Sequence, residues 1–197
     1  MTTGIKKKIL EVIARDIERC ESCGLCSTPG KSVPGEGNPD TYIAFVGEAP
    51  GATEAEMGRP FVGRAGKLLD NMIKSMGIER QDVWIGNICK HRPPNNRKPT
   101  REEMDACLPY LRMQLHVIQP RIIIAMGATA IEGLIGQYMS VTKNHGIMLN
   151  LPWYPGEVLM TYHPSALLRN PKWKDEAWYD LQKARTHLQQ WLELKDY

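Results

Sequence analysis

Four short apolar runs, each closing on a glycine or a polar residue, constrain the fold of this chain more than any other feature. They are Tyr42-Ile-Ala-Phe-Val46 before Gly47, Val83-Trp-Ile-Gly-Asn-Ile88, Arg121-Ile-Ile-Ile-Ala125 before Met126-Gly127, and Val158-Leu-Met-Thr-Tyr162 before His163. Runs of this kind suit strands buried on both faces of a parallel sheet. Between them the apolar residues take helical spacing. Leu68, Leu69, Met72, Ile73 and Met76 form one stripe, and Met104, Cys107, Leu108, Leu111, Leu115 and Ile118 form another. The second stripe follows Thr100-Arg-Glu-Glu103, a capping box in which both end residues satisfy free backbone donors. A short helix is expected near Gly127, with outer helices over 5–19 and 175–193. Strands alternating with helices predict a three-layer α/β/α domain around a central, mainly parallel four-stranded sheet. Residues 1–197 are expected to form that one domain.

Sheets of this class bind ligands beyond the carboxyl ends of their strands. Four segments should therefore converge: Gly47-Glu-Ala-Pro-Gly51, Asn87, Met126-Gly127 and His163-Pro-Ser165. Composition narrows what such a site serves. Hydrophobic residues make up 42% and charged residues 24%, as in ordinary globular proteins. No apolar run approaches the roughly 18 residues of a membrane span, and the N-terminus lacks a signal-peptide core, so a cytoplasmic protein is expected. Net charge is +3 and unevenly placed. Lys90, Arg92, Arg97, Lys98 and Arg101 crowd one Pro/Asn-rich loop, and Arg169, Lys172 and Lys174 follow another, which permits contact with nucleic acid. Five cysteines, three of them in Cys20-Glu-Ser-Cys23-Gly-Leu-Cys26, point to a metal site or cluster rather than a disulfide framework. No Walker or GxGxxG phosphate loop is present.

Five segments together resemble the iron–sulfur (family 4) uracil-DNA glycosylases. They are Cys20 with Cys23; Gly35-Glu-Gly-Asn-Pro39; Phe45-Val-Gly-Glu-Ala-Pro-Gly51 with Arg59-Pro-Phe-Val-Gly-Arg-Ala-Gly66; Asn87-Ile-Cys-Lys-His-Arg-Pro-Pro-Asn-Asn-Arg97; and His163-Pro-Ser-Ala-Leu-Leu-Arg-Asn-Pro171. The resemblance implies an enzyme of the uracil-DNA glycosylase-like fold. It would flip uracil out of single- or double-stranded DNA, hydrolyse the N-glycosidic bond and act as a monomer.

Residue by residue, the resemblance assigns Glu48 and His163 to catalysis, and each role has a physical reading. A carboxylate stabilises a cation-like sugar and orients water, and an imidazole donates to the charge growing on the departing base. Gly47 and Ala49 would line the base site. Asn87 offers the acceptor and donor that match uracil N3–H and O4. Phe61, one of two phenylalanines, would stack on the base. Ser165 would hold a phosphate, Leu167 or Leu168 would wedge into the emptied stack, and Arg169 would contact the backbone. The family's [4Fe–4S] cluster would be held by Cys20, Cys23, Cys107 and a fourth ligand. Alignment favours His91, with Cys89 and Cys26 as alternatives, and imidazole does ligate some iron–sulfur centres. Two other functions compete. One is a superfamily member that binds or covalently traps uracil-DNA without turnover; the other is an iron–sulfur redox protein.

Overall fold

The computed structural model describes residues 1–195. The chain opens with α1 (Thr3–Glu18) and passes the cysteine-rich turn to β1 (Glu36–Gly37) and β2 (Ile43–Gly47). Two helices, α2 (Ala52–Met57) and α3 (Arg64–Ser75), lead to β3 (Trp84–Asn87). Then come α4 (Arg101–Ile118), β4 (Ile122–Met126), α5 (Ala128–Ile135) and α6 (Val141–Asn144). The chain continues through β5 (Met148–Leu151), β6 (Tyr154–Thr161), α7 (Pro164–Arg169) and α8 (Lys174–Lys195). No helix among the described residues is long and apolar enough to cross a membrane.

The sheet order is β1-β3-β2-β4-β6-β5. β3, β2, β4 and β6 are the four expected parallel strands. Two strands escaped the sequence pattern: β1 and β5 add antiparallel edges, making six in all. Two and four residues on a sheet edge bury too little apolar surface to leave a periodic signature.

Strand alternation divides the core in two. Ala44, Val46, Trp84, Ile123, Ala125 and Met160 face the layer containing α4 and α5. Ile43, Phe45, Ile85, Ile124, Met126 and Leu159 face α3, α7 and α8. Both faces are buried, which is why these strands read as continuous apolar runs. The capping box forms as expected: the Glu103 N–H donates to the Thr100 hydroxyl at 3.2 Å, and the Thr100 N–H donates to Glu103 Oε2 at 2.7 Å.

The topology creates the site. From β2 the chain crosses to β3 on one side, then returns through α4 to β4 on the other. The connections diverge at the carboxyl end of β2, where such sheets leave a crevice. Ile124, fully buried at the centre of this sheet, reports on its stability. Ile124→Ala should cost about 2–5 kcal/mol through lost burial and a cavity. A guanidinium denaturation midpoint equal to wild type would show that the strand is not in the core.

Candidate functional site

A cavity of about 700 Å³ opens where the parallel strands end. Glu48 and Ala49 enter it after β2, Asn87 from the end of β3, Gly127 after β4 and His163 after β6. The four segments expected to converge thus do so. The cavity is floored by Phe61 and Asn87, and Gly47 explains how both reach it. A Cβ on Gly47 would stand 2.5 Å from Phe61 Cζ and 2.6 Å from Asn87 Oδ1, so only glycine lets ring and amide close over the strand end. Asn87 is 1% exposed, and its Oδ1 has no hydrogen-bond partner among the described residues. A buried acceptor left open inside a cavity costs free energy until a ligand donor fills it.

Phe61 lies on a tense loop, with φ at 50°. Bulky residues avoid that left-handed region, so the surroundings must hold it. Two polar side chains do so. Glu54 Oε1 accepts from the N–H groups of Val62 and Gly63 at 3.0 and 2.8 Å. Arg80 donates to the carbonyls of Phe61 and Pro60 at 3.1 and 2.7 Å, and pairs with Asp70 and Glu36. No sequence pattern signals this clamp. Arg80 sits far along the chain in a short turn and Glu54 lies within α2, so no local pattern ties either to Phe61.

His163 begins α7, its ring centroid 5.5 Å from that of Phe61. The Ser165 N–H donates to His163 Nδ1 at 3.1 Å, and the Ser165 hydroxyl lies 2.8 Å from the same atom. A backbone N–H can only donate, so Nδ1 accepts and the ring proton rides on Nε2. Enclosure by the pocket walls, and secondarily Arg169, lower the His163 pKa to about 4. At neutral pH the site therefore holds an uncharged imidazole with one N–H donor. Ser165, expected to hold a phosphate, instead turns its hydroxyl toward His163.

The sequence signature of the Uracil DNA glycosylase superfamily covers residues 34–182. The chain is 46% identical to a Type-4 uracil-DNA glycosylase of Thermotoga maritima, over 84% of this chain and 86% of that protein. It is 42% identical to the Type-4 uracil-DNA glycosylase of Sulfurisphaera tokodaii, over 89% and 83%. The chain belongs to the uracil-DNA glycosylase superfamily.

The remaining superfamily features fall into place unevenly. Of the two wedge candidates, Leu167 is 1% exposed and packs in the core with α3. Only Leu168, 38% exposed, is presented outward, so Leu167 is withdrawn from the site. Arg169 lines the cavity, as do Tyr138 and Trp173, which no pattern singled out. The basic loop is less available than its composition suggested. Arg97 pairs with both oxygens of Glu103, Lys98 with Glu132 and Arg101 with Asp105. Lys90 turns inward and is buried.

The cysteines gather beneath the same loop. Cys89 and Cys107 are buried in one core cluster, with Cys23 packed against it. The Cys107 side chain interacts with those of both Cys89 and Cys23. The interaction between Cys89 and Cys107 is the main reason that the Cys107 pKa is lowered and the Cys89 pKa raised. The Tyr110 hydroxyl bonds to Cys20, whose charge is felt at Cys23. No three metal-binding side chains among the described residues converge at single-ion spacing. His91, favoured by alignment as the fourth ligand, makes no hydrogen bond among the described residues, and burial alone shifts its pKa downward. The thiol brought against Cys107 is that of Cys89.

The state of His163 can be read directly. Nitrogen NMR of labelled protein, assigned against His163→Gln, should show the Nε2–H tautomer from pH 8 to 5 and protonation only near about 4. Because the folded value lies below the unfolded one of about 6.5, this histidine's contribution to stability is complete above about 6.5 and is lost as pH falls toward 4. A titration midpoint near 6.5 would contradict the assignment.

Proposed function

We propose that this chain removes uracil from DNA by hydrolysing the N-glycosidic bond, leaving an abasic site. The buried, unpartnered Asn87 Oδ1 at the cavity floor carries this reading. Uracil presents a donor at N3 and an acceptor at O4, and one amide complements both. Cytosine carries the opposite pair, so it would leave buried groups opposed. Phe61, locked on its loop, supplies a stacking face beside that amide, worth about 1–3 kcal/mol per base.

The chemistry follows from the groups around the floor. As the C1′–N1 bond breaks, its electron pair moves onto the base. The neutral His163 Nε2–H is oriented by Ser165 to donate to the oxygen where that charge grows. A neutral donor serves the anion without having to lose a second proton. Glu48 at the mouth of β2 stabilises the cationic sugar and orients the water whose oxygen joins C1′, and the proton that water releases neutralises the departed uracil anion. Leu168 fills the vacated stack, and Arg169 meets the backbone. Hydrolysis is favoured over covalent trapping because His91, the loop histidine that a trap would use, does not line the cavity.

The cysteine site fits an iron–sulfur cluster by donor chemistry: free thiols, two of them buried, converge from the turn after α1, the end of β3 and α4. Cys20, Cys23 and Cys107 hold a [4Fe–4S] cluster in this proposal. Once bound, it ties these three segments together and supports the fold beneath the base site.

Asn87→Asp tests the reading. It exchanges the amide donor for an acceptor and should slow single-turnover excision from a uracil-containing oligonucleotide by about 10²-fold or more. Asn87→Ala should also be strongly impaired. Wild-type rates in both variants would remove Asn87 from base recognition, and with it this account of specificity.

A further inference from the structure

We infer that the fourth ligand of the cluster is Cys89, two residues ahead of the position that alignment assigns and that His91 occupies. The inference rests on the cluster reading above. Three observations carry it.

The first is convergence. Cys89 and Cys107 are buried in one packed cluster with Cys23 packed against it, and the Cys89 and Cys107 side chains interact. His91 shows no such tie. The second is the backbone path. The Cys89 N–H donates to the Glu48 carbonyl at 3.0 Å, extending the β2–β3 pairing by a residue and fixing the direction of its side chain. Val33 N–H then donates to the Lys90 carbonyl at 2.8 Å. The chain bends at Ile88, Lys90 and His91. In an unbent strand residues 89 and 91 would share a face, but across these bends only Cys89 is brought against Cys107.

The third is charge. Lys90 separates the two candidates and is fully buried, its ammonium donating to the carbonyls of Pro34 and Asn87 and to Gln114 Oε1. A buried cation needs a compensating anion, and a thiolate at the adjacent Cys89 would supply one. Four thiolates on a cluster meet that need better than three thiolates and a neutral imidazole. On ligation each thiol gives its proton to solvent and its sulfur to one iron, with no change in oxidation state. The same ammonium holds the Asn87 carbonyl at 2.9 Å, so cluster and base-reading amide share one support.

The test uses the intact wild-type protein first. Purified anaerobically, it should carry about four irons per chain, and after reduction its pulsed EPR spectrum should show no hyperfine coupling to ¹⁵N-labelled histidine. Coupling to a histidine nitrogen would overturn the assignment while leaving the cluster intact. Iron-free wild-type protein would overturn both. Variants separate the cysteines: His91→Ala and Cys26→Ala should keep wild-type iron content and absorbance near ~400 nm, whereas Cys89→Ser should lose the cluster or change its EPR signal. A Cys89→Ser protein with unchanged iron and spectrum, or a Cys26→Ala protein that loses iron, would reject Cys89. A Cys89→Ser chain that fails to fold leaves the hyperfine and Cys26→Ala results to decide.

Discussion

At the end of β2 the backbone carries no side chain, and across that gap a phenyl ring and a carboxamide pack into one surface. Gly47 leaves the space, and Phe61 and Asn87 both occupy it. Each partner depends on distant support. Phe61 holds a disfavoured backbone conformation because Glu54 and Arg80 bind the loop on either side of it. Asn87 is fixed from beneath by Lys90, which bonds its carbonyl, and by the sheet pairing of β3 with β2. The pocket floor is thus formed before any base arrives, and the cost of ordering it falls on folding rather than on binding.

The opposite wall depends on the same sheet. His163 follows β6, and its ring faces Phe61 because the α7 N-terminus turns it there. The two Ser165 contacts select its tautomer, and enclosure keeps it neutral. Donor and reader therefore come from strand ends whose register is set by alternating side chains buried on both faces, and the platform packs over a third at Gly47. A one-residue slip in any of these strands would turn the floor toward the helices.

Much of this was legible in the sequence, for identifiable reasons. Strands buried on both faces are apolar throughout, so β2, β3, β4 and β6 announced themselves, and the residues closing them gave the site. Thr100 and Glu103 form a local motif whose partners lie three residues apart, and the helix started where expected. The failures share the opposite character. Arg80 and Phe61 are far apart in sequence, and nothing local says that one holds the other. Leu167 and Leu168 are chemically identical neighbours, and only the turn of α7 sends one inward. Arg97 stood among the basic residues of its loop, and nothing local marks Glu103 as its partner.

The central claim is that the missing side chain at Gly47 lets Phe61 and Asn87 form the base-reading floor. Gly47→Ala tests it most directly, because the added methyl would fall within 2.6 Å of both groups while β2 keeps an ordinary strand residue. Single-turnover excision of uracil should fall by about 10²-fold or more, in a protein whose circular dichroism and cluster absorbance remain those of wild type. Excision at the wild-type rate by a folded Gly47→Ala protein would show that ring and amide do not meet there, and would contradict the account.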